Sequence, residues 1–360
     1  MDITIPKRSE VIQDHKEKGG QIAAVFPIHY PRALLRAFDI QPVEVWGPPG
    51  VDVGPGDAHL QAYVCTIVKN GLSFLLSGGL DVCDYIVVPH GCDSLQGLGS
   101  ILLDFIKPKQ TVLPFYVPRQ DRDASIDFFT DEFKSIEEKL RKITGKKPSV
   151  ADLVKAVHRE EAADLVLADL FNRRRRLPLS NLEFYRLVRS REYLPAEVFA
   201  DIGHKTLEQG GQPDPQGTGV VLSGLVPEPM DLLEVISKAG AVVVADDFAC
   251  SGRRLYTAGK GQEPHRRMAN SILTAAPDST RGASVEDRIR HLAKLCQGSD
   301  AKGVIFYDIK FCEPEQFYIP QVRAGLEQAG IRSVAMEGDL DEKTGQQLVT
   351  RIEAFLETLQ

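Results

Sequence analysis

The sequence predicts an α/β protein: two doubly wound parallel-sheet lobes of the flavodoxin or Rossmann-like kind, joined by a helical middle segment. Three observations carry this. Short apolar runs alternate with amphipathic helical patterns at both ends of the chain, the mark of a parallel sheet wrapped by helices. The alternation lapses in the middle. The chain has 360 residues, room for two to three domains of ~150 residues each.

In the first lobe (1–118), the apolar run Ile22 to Ile28 reads as a strand. Pro31 to Phe38 follows as a short helix with proline in its first turn. Val43 to Trp46 is a second strand, closed by Gly47-Pro48-Pro49-Gly50. Leu60, Tyr63, Val64, Ile67, Val68, Leu72 and Leu75 recur at helical spacing. Tyr85 to Val88 is a buried-strand run, Ser94 to Ile106 is helical, and Thr111 to Val117 is a fourth strand.

The middle (119–215) offers no strand. Phe128, Phe129, Phe133, Ile136 and Leu140 mark one amphipathic helix. Ser149 is a good N-cap for a second, which carries Val150, Leu153, Val154 and Val157 and runs into Arg173 to Arg176. Two more helical patterns precede Gly210-Gly211-Gln212-Pro213-Asp214-Pro215, a linker by composition.

The last lobe (216–360) repeats the first. Gly219 to Leu222, Ala241 to Ala245, Val304 to Tyr307 and Ile331 to Met336 read as strands. Met230 to Lys238, Val285 to Leu295, Phe317 to Ala329 and Gly345 to Leu359 read as helices.

Hydrophobic residues are 43% and charged residues 26%, which excludes a disordered chain, a collagen or a coiled-coil rod. A net charge of −7 attracts neither nucleic acid nor an anionic membrane. No apolar run follows Met1 to Glu10, and none approaches the ~18 residues of a membrane span. The expectation is a cytoplasmic protein whose six cysteines are thiols rather than a disulfide framework.

Ligands of open α/β sheets bind beyond the carboxyl ends of the strands. Cys92, in Pro89-His90-Gly91-Cys92-Asp93, follows the third strand of the first lobe. Cys312, in Lys310-Phe311-Cys312-Glu313-Pro314-Glu315, follows the third strand of the last. Cys65 lies near a helix start, where the dipole and free N–H groups favour thiolate. Three thiolates from distant positions suit a soft metal centre, iron–sulfur or zinc. Their separations, 27 and 220 residues, match neither a ferredoxin run nor a zinc ribbon, so by spacing alone scattered structural cysteines stay the commoner reading. Cys83 and Cys296 sit on apolar patterns and read as core. Cys250, in Asp246-Asp247-Phe248-Ala249-Cys250-Ser251-Gly252-Arg253-Arg254, reads as pocket wall or ligand.

Four stretches, Tyr63-Val64-Cys65, Val87 to Ser94, Asp246 to Arg254 and Lys310 to Glu315, occur in order along a chain that resembles the 2-hydroxyacyl-CoA dehydratase / benzoyl-CoA reductase family, of the 2-hydroxyglutaryl-CoA dehydratase D-component type. The resemblance runs from Val25 to the last helix. It implies two doubly wound lobes with a helical segment. It implies one [4Fe–4S] cluster held by Cys65, Cys92 and Cys312, its fourth iron open to a small ligand. It further implies one-electron, ketyl-radical chemistry on an acyl-CoA thioester, either dehydration or ring reduction. The implied partners are a homologous second subunit or a second copy, and a separate ATP-hydrolysing iron–sulfur activator. The chain departs from the family pattern at His29-Tyr30, where a hydroxyl residue is common, and at Pro31-Arg32-Ala33, where acidic residues are common. The extra cysteine pair of the double-cubane branch is missing, so one cubane is expected.

His29, after the first strand, is the candidate proton donor, against a loop histidine bonded to backbone. His90 is a candidate donor to a cluster sulfide, against a strand-end cap. Glu44 is the carboxylate that could reach the cleft, and Trp46 reads as core. Arg173 to Arg176 could hold coenzyme A phosphates, against a solvated helix end. Ser223-Gly224 could form a backbone nest for an anion. No dinucleotide fingerprint follows a strand and no Walker A motif occurs, so ATP hydrolysis falls to a partner. Two further readings stay open: an electron-relay subunit paired with a catalytic homologue, and a two-lobed small-molecule binding protein with incidental cysteines.

Overall fold

A computed structural model describes residues 4–119, 122–210, 217–340 and 342–359. The first lobe runs α1 (Arg8–Glu17), β1 (Gln21–Val25), α2 (Arg32–Ala37), β2 (Ile40–Glu44), α3 (Gly54–Asp57), α4 (Thr66–Leu76), β3 (Tyr85–His90), α5 (Asp93–Ile101) and β4 (Thr111–Tyr116). Four helices follow: α6 (Asp123–Thr144), α7 (Val150–Asn172), α8 (Asn181–Ser190) and α9 (Ala196–Glu208). The last lobe runs β5 (Thr218–Gly224), α10 (Asp231–Lys238), β6 (Ala241–Phe248), α11 (Pro264–Leu273), α12 (Val285–Ser299), β7 (Gly303–Ile309), α13 (Glu313–Gln316), α14 (Ile319–Gln328), β8 (Arg332–Gly338) and α15 (Gln346–Thr358).

Both sheets are wholly parallel and share one order, β2-β1-β3-β4 and β6-β5-β7-β8. The two doubly wound lobes expected from the sequence are present. The strands read as continuous apolar runs because a parallel sheet is covered on both faces. Ala23, Val25, Tyr85, Val87, Leu113 and Phe115 point to one face of the first sheet, and Ile22, Ala24, Ile86 and Val88 to the other.

The second of these faces belongs to a core shared by both lobes. It joins Ile22, Ala24 and Val88 to Val220, Leu222, Ile305 and Tyr307 of the second sheet, with Leu170, Phe184 and Phe199 from α7, α8 and α9 between them. The opposite face of the first sheet is closed by Phe129, Phe133 and Leu140 of α6, and by Leu153 and Val157 of α7. It is also closed by Met268, Ala269, Ile272 and Leu273 of α11, which reaches across from the last lobe. The helical segment therefore splits its apolar faces between two cores. Leu292, Val322 and Leu326 of α12 and α14 cover the outer face of the second sheet.

Several details differ from the sequence expectation: helices α1, α3 and α13 were not anticipated, and the strand read over Val43 to Trp46 is Ile40–Glu44. The helix read from Leu60 begins at Thr66, because Cys65 is its extended N-cap, so Leu60, Tyr63 and Val64 precede it. The helix read to Ile106 ends at Ile101 and passes into one π turn, Leu102–Ile106, closed by Lys107 in the left-handed region. Helix α11 was not anticipated. The linker stretch 211–215 lies outside the described residues. No helix among the described residues is long and apolar enough to cross a membrane.

Candidate functional site

The carboxyl ends of β3 and β7 and the start of α4 bring three thiols into one region. Cys65, Cys92 and Cys312 are the N-caps of α4, α5 and α13. The N–H groups of Ile67 and Val68 lean toward the Cys65 sulfur, and those of Ser94 and Leu95 toward that of Cys92, without closing into capping hydrogen bonds. Cys65 and Cys312 are only 7% and 4% exposed, and Cys92 is half-buried. Burial, reinforced by the Cys65 charge, pushes the Cys92 thiol up to about 12. Burial raises Cys312 too, and Asp308, Glu315, Cys65 and Cys92 all add to the rise. The three sulfurs thus sense one another across the two lobes, and each resists ionising until a cation arrives.

Among the described residues, no group of three or more His, Cys, Asp or Glu side chains is arranged to hold a metal ion. Three thiols are the donor chemistry of an iron–sulfur group, whose thiolates bind different irons.

A buried ionic network supports the Cys312 turn. Arg253, fully buried, forks onto Glu315 at 2.5 and 3.0 Å and also faces Asp247 and Asp278 at 3.4 Å each. Arg288 pairs with Asp247 at 2.8 Å and reaches Glu315 at 3.5 Å. Burial alone would raise Asp247, but Arg253 and Arg288 hold its carboxyl well below the usual carboxylate range. Ser223 donates to Asp247 at 2.8 Å and accepts from Arg288 at 3.3 Å, so it is engaged in this network. Gly224 beside it has φ +155°, and a Cβ there would lie 2.0 Å from the Tyr307 carbonyl oxygen.

His29 is buried, with Nδ1 2.8 Å from Tyr256 Oη and Nε2 3.5 Å from Asp278 Oδ2. Burial, with help from the Arg281 and Arg254 charges and against the pull of Asp278, pushes it down to about 4. The ring is therefore neutral at physiological pH. Its polar contacts are Tyr256 and Asp278 rather than the thiols. It reaches the Cys312 turn only through Asp278, Arg253 and Glu315.

Glu44 accepts from Tyr30, Arg32, Trp46 and Arg254 at 2.8 to 2.9 Å. Burial would raise its carboxyl, but Arg254 and Arg32 hold it down at about 2. Glu44 is a locked anion that ties lobe one to lobe two. Trp46 is buried against it, as core.

His90 stands edge-on to Tyr116 at 4.5 Å and under Gly99 of α5, both ring nitrogens unpartnered. Cys250 is buried, and its charged neighbours are Arg189, Glu192, Asp246 and Arg254 rather than the three thiols. Cys83 and Cys296 are core residues of separate clusters. The arginine run is half structural: Arg174 is buried on Leu179 O and Asn181, and Arg175 holds the carbonyls of Ser299 and Asp300.

Three carboxyl groups escaped the sequence reading as site residues: Asp247, Asp278 and Asp308. Asp308 is the penultimate residue of β7, with both oxygens buried and unpartnered. The one available signal was a charge closing the apolar run Val304 to Tyr307. Burial, with the charges of Glu315 and Glu337, pushes this carboxyl up to about 8.

Residues 27–359 match the family profile described as 2-hydroxyglutaryl-CoA dehydratase, D-component. The (R)-phenyllactyl-CoA dehydratase beta subunit of Clostridium sporogenes is 26% identical, over 97% of this chain and 94% of that one. The (R)-2-hydroxyglutaryl-CoA dehydratase subunit beta of Acidaminococcus fermentans is 24% identical, over 97% and 95%. A benzoyl-CoA reductase subunit of Thauera aromatica is 26% identical, over 82% and 79%.

Proposed function

The chain belongs to the 2-hydroxyglutaryl-CoA dehydratase D-component family, and we propose that it is one subunit of an acyl-CoA dehydratase or benzoyl-CoA-type reductase, with Cys65, Cys92 and Cys312 holding a [4Fe–4S] cluster. The observation that carries the ligand set is the meeting of these three N-cap thiols, from both lobes, in one buried region. When bound, such a cluster supplies low-potential one-electron reduction of an acyl thioester.

The chain's own residues do the rest. Cys65 and Cys92 fix the first lobe's side of the site, and Cys312 the other. Arg253 and Arg288 hold Glu315 and so the turn that carries Cys312. The apolar core shared by the lobes keeps water from the thiols. His29 is the candidate proton donor. Its neutral ring is held between Tyr256 at Nδ1 and Asp278 at Nε2, the state in which an imidazole can exchange a proton with a reacting group. A homologous second subunit, or a second copy, completes the enzyme. A separate ATP-hydrolysing activator supplies the electron, in keeping with a sequence that has no phosphate-loop motif.

Iron analysis tests the ligand set. Protein made without oxygen is expected to be brown, with a broad charge-transfer band. Cys65→Ser, Cys92→Ser and Cys312→Ser should each lose iron, and Cys83→Ser and Cys296→Ser should keep it. A full complement of iron in all of the first three would sink the assignment.

A further inference from the structure

Between α1 and the first sheet lies a cavity of about 330 Å³. Its wall is apolar: Trp46, Leu80 and Cys83 are buried, Pro48 and Phe74 half-buried, and Val82 stands at the rim. Protein interiors leave few voids larger than a water molecule, and an apolar void costs stability in step with its volume. An apolar cavity of ~150 Å³ stays dry and takes up benzene; this one has about twice that volume. The charged groups that line it have no charge to spare. Arg8 donates to the Glu44 carbonyl and the Glu192 carboxylate, and Arg189 pairs with Glu192 and Glu228. The Glu44 carboxylate already accepts from four side chains. A ligand that brought its own charge would meet no partner there. The way in is α1. None of its ten residues is buried. Ile12 lines the cavity, while Lys16 holds the Val82 carbonyl at 2.8 Å and the His15 ring lies 3.3 Å from the Asp39 carbonyl. A helix with so little buried apolar surface opens at lower cost than the core beneath it.

We propose that this cavity is a binding site for a neutral aromatic molecule of one or two fused rings, with α1 as its cover. The volume sets the size, the satisfied charges set the neutrality, and walls of Trp46, Phe74 and Pro48 favour a flat ring. None of Cys65, Cys92 and Cys312 lines the cavity, so the site stands apart from the cluster reading. Trp46 also donates to Glu44, which Arg254 of the last lobe holds. A bound ring therefore steadies the joint between the lobes.

Trp46 is the single tryptophan, so the full chain made with 5-fluorotryptophan gives one fluorine resonance, from the cavity wall. Titration with indole is expected to shift that resonance to saturation and to raise the thermal midpoint, as any ligand of the folded state does. Indole-3-acetate, the same ring with a carboxylate, should bind at least tenfold more weakly. Cys83→Phe puts a ring into the cavity and should leave the indole titration flat. A wild-type resonance that stays still, or drifts in proportion to indole without saturating, would overturn the proposal, and this arm decides the matter even if Cys83→Phe fails to fold. An undiminished response in Cys83→Phe would overturn it equally, and indole-3-acetate binding as tightly as indole would overturn the neutral class of ligand.

Discussion

Arg253 and Glu315 meet in a bidentate pair, 2.5 and 3.0 Å long, with neither side chain open to solvent. Arg253 follows β6, and Glu315 lies three residues past Cys312. The pair therefore fastens the loop after one strand to the turn that carries a candidate ligand. Arg253→Met removes the fork on Glu315 and the guanidinium that Asp278 faces, and leaves Arg288 as the arginine on Asp247 and Glu315. Removing one partner of a buried charge pair typically costs about 3–5 kcal/mol. A lower denaturant midpoint is expected, with Arg253→Lys intermediate because it keeps the charge but loses the fork. Wild-type stability in Arg253→Met would show that the network contributes nothing.

Acid should weaken the fold through His29. Its folded value of about 4 lies below the ordinary 6.5, so the unfolded chain takes up the proton first. Stability is unaffected by this group above pH 6.5, falls as pH drops from 6.5 toward 4, and levels off below that. A shift of this size corresponds to roughly 3 kcal/mol. Asp278, held well below the carboxylate range by His29 and Arg253 against its own burial, acts in the same direction at lower pH. Urea midpoints measured from pH 7.5 to 4.5 should fall steeply in the wild type and by about one proton's slope less in His29→Gln. Parallel curves would remove His29 as the cause.

Ser149 caps α7 by accepting from the Asp152 N–H at 3.2 Å, while the Asp152 carboxylate accepts from the Ser149 N–H at 2.9 Å. Ser149→Ala should cost about 1 kcal/mol, and Ser149→Asp close to nothing. Thermal melts of the three proteins check this.

That cap was legible because it is local. So were the strands, since Tyr85 to Val88 or Val304 to Tyr307 could hardly be anything but covered strands. Cys92 and Cys312 could be placed because strand ends are where open sheets put their ligands. Helix α11 was missed because only Met268, Ala269, Ile272 and Leu273 of its ten residues are buried hydrophobics. Its one signal was Glu263-Pro264, a cap followed by proline at the first helical position. The partners of Arg253 were illegible for another reason. They lie 6, 25 and 62 residues away, and sequence periodicity says nothing about which charges a tertiary fold will bury together.

The chain has a single tryptophan, and its position makes it a reporter on the joint between the lobes. Trp46 Nε1 donates to Glu44 at 2.8 Å, and the Arg254 guanidinium stands 5.8 Å from its ring. Glu44 and Trp46 come from the first lobe, at the end of β2, while Arg254 comes from the loop after β6. Glu44→Gln keeps the shape but removes the anion that Arg32 and Arg254 share. Two guanidiniums are then left facing each other in a buried site, an arrangement expected to cost about 3–5 kcal/mol. The indole loses a charge-assisted partner and gains a neutral one, so its emission should shift and its accessibility to iodide should rise. Arg254→Met should produce the same fluorescence change from the opposite lobe. If the joint acts as a unit, the double variant will lose less than the two single losses combined. Additive losses, with Trp46 emission unchanged in either single variant, would mean that Glu44 and Arg254 stabilise their own lobes separately.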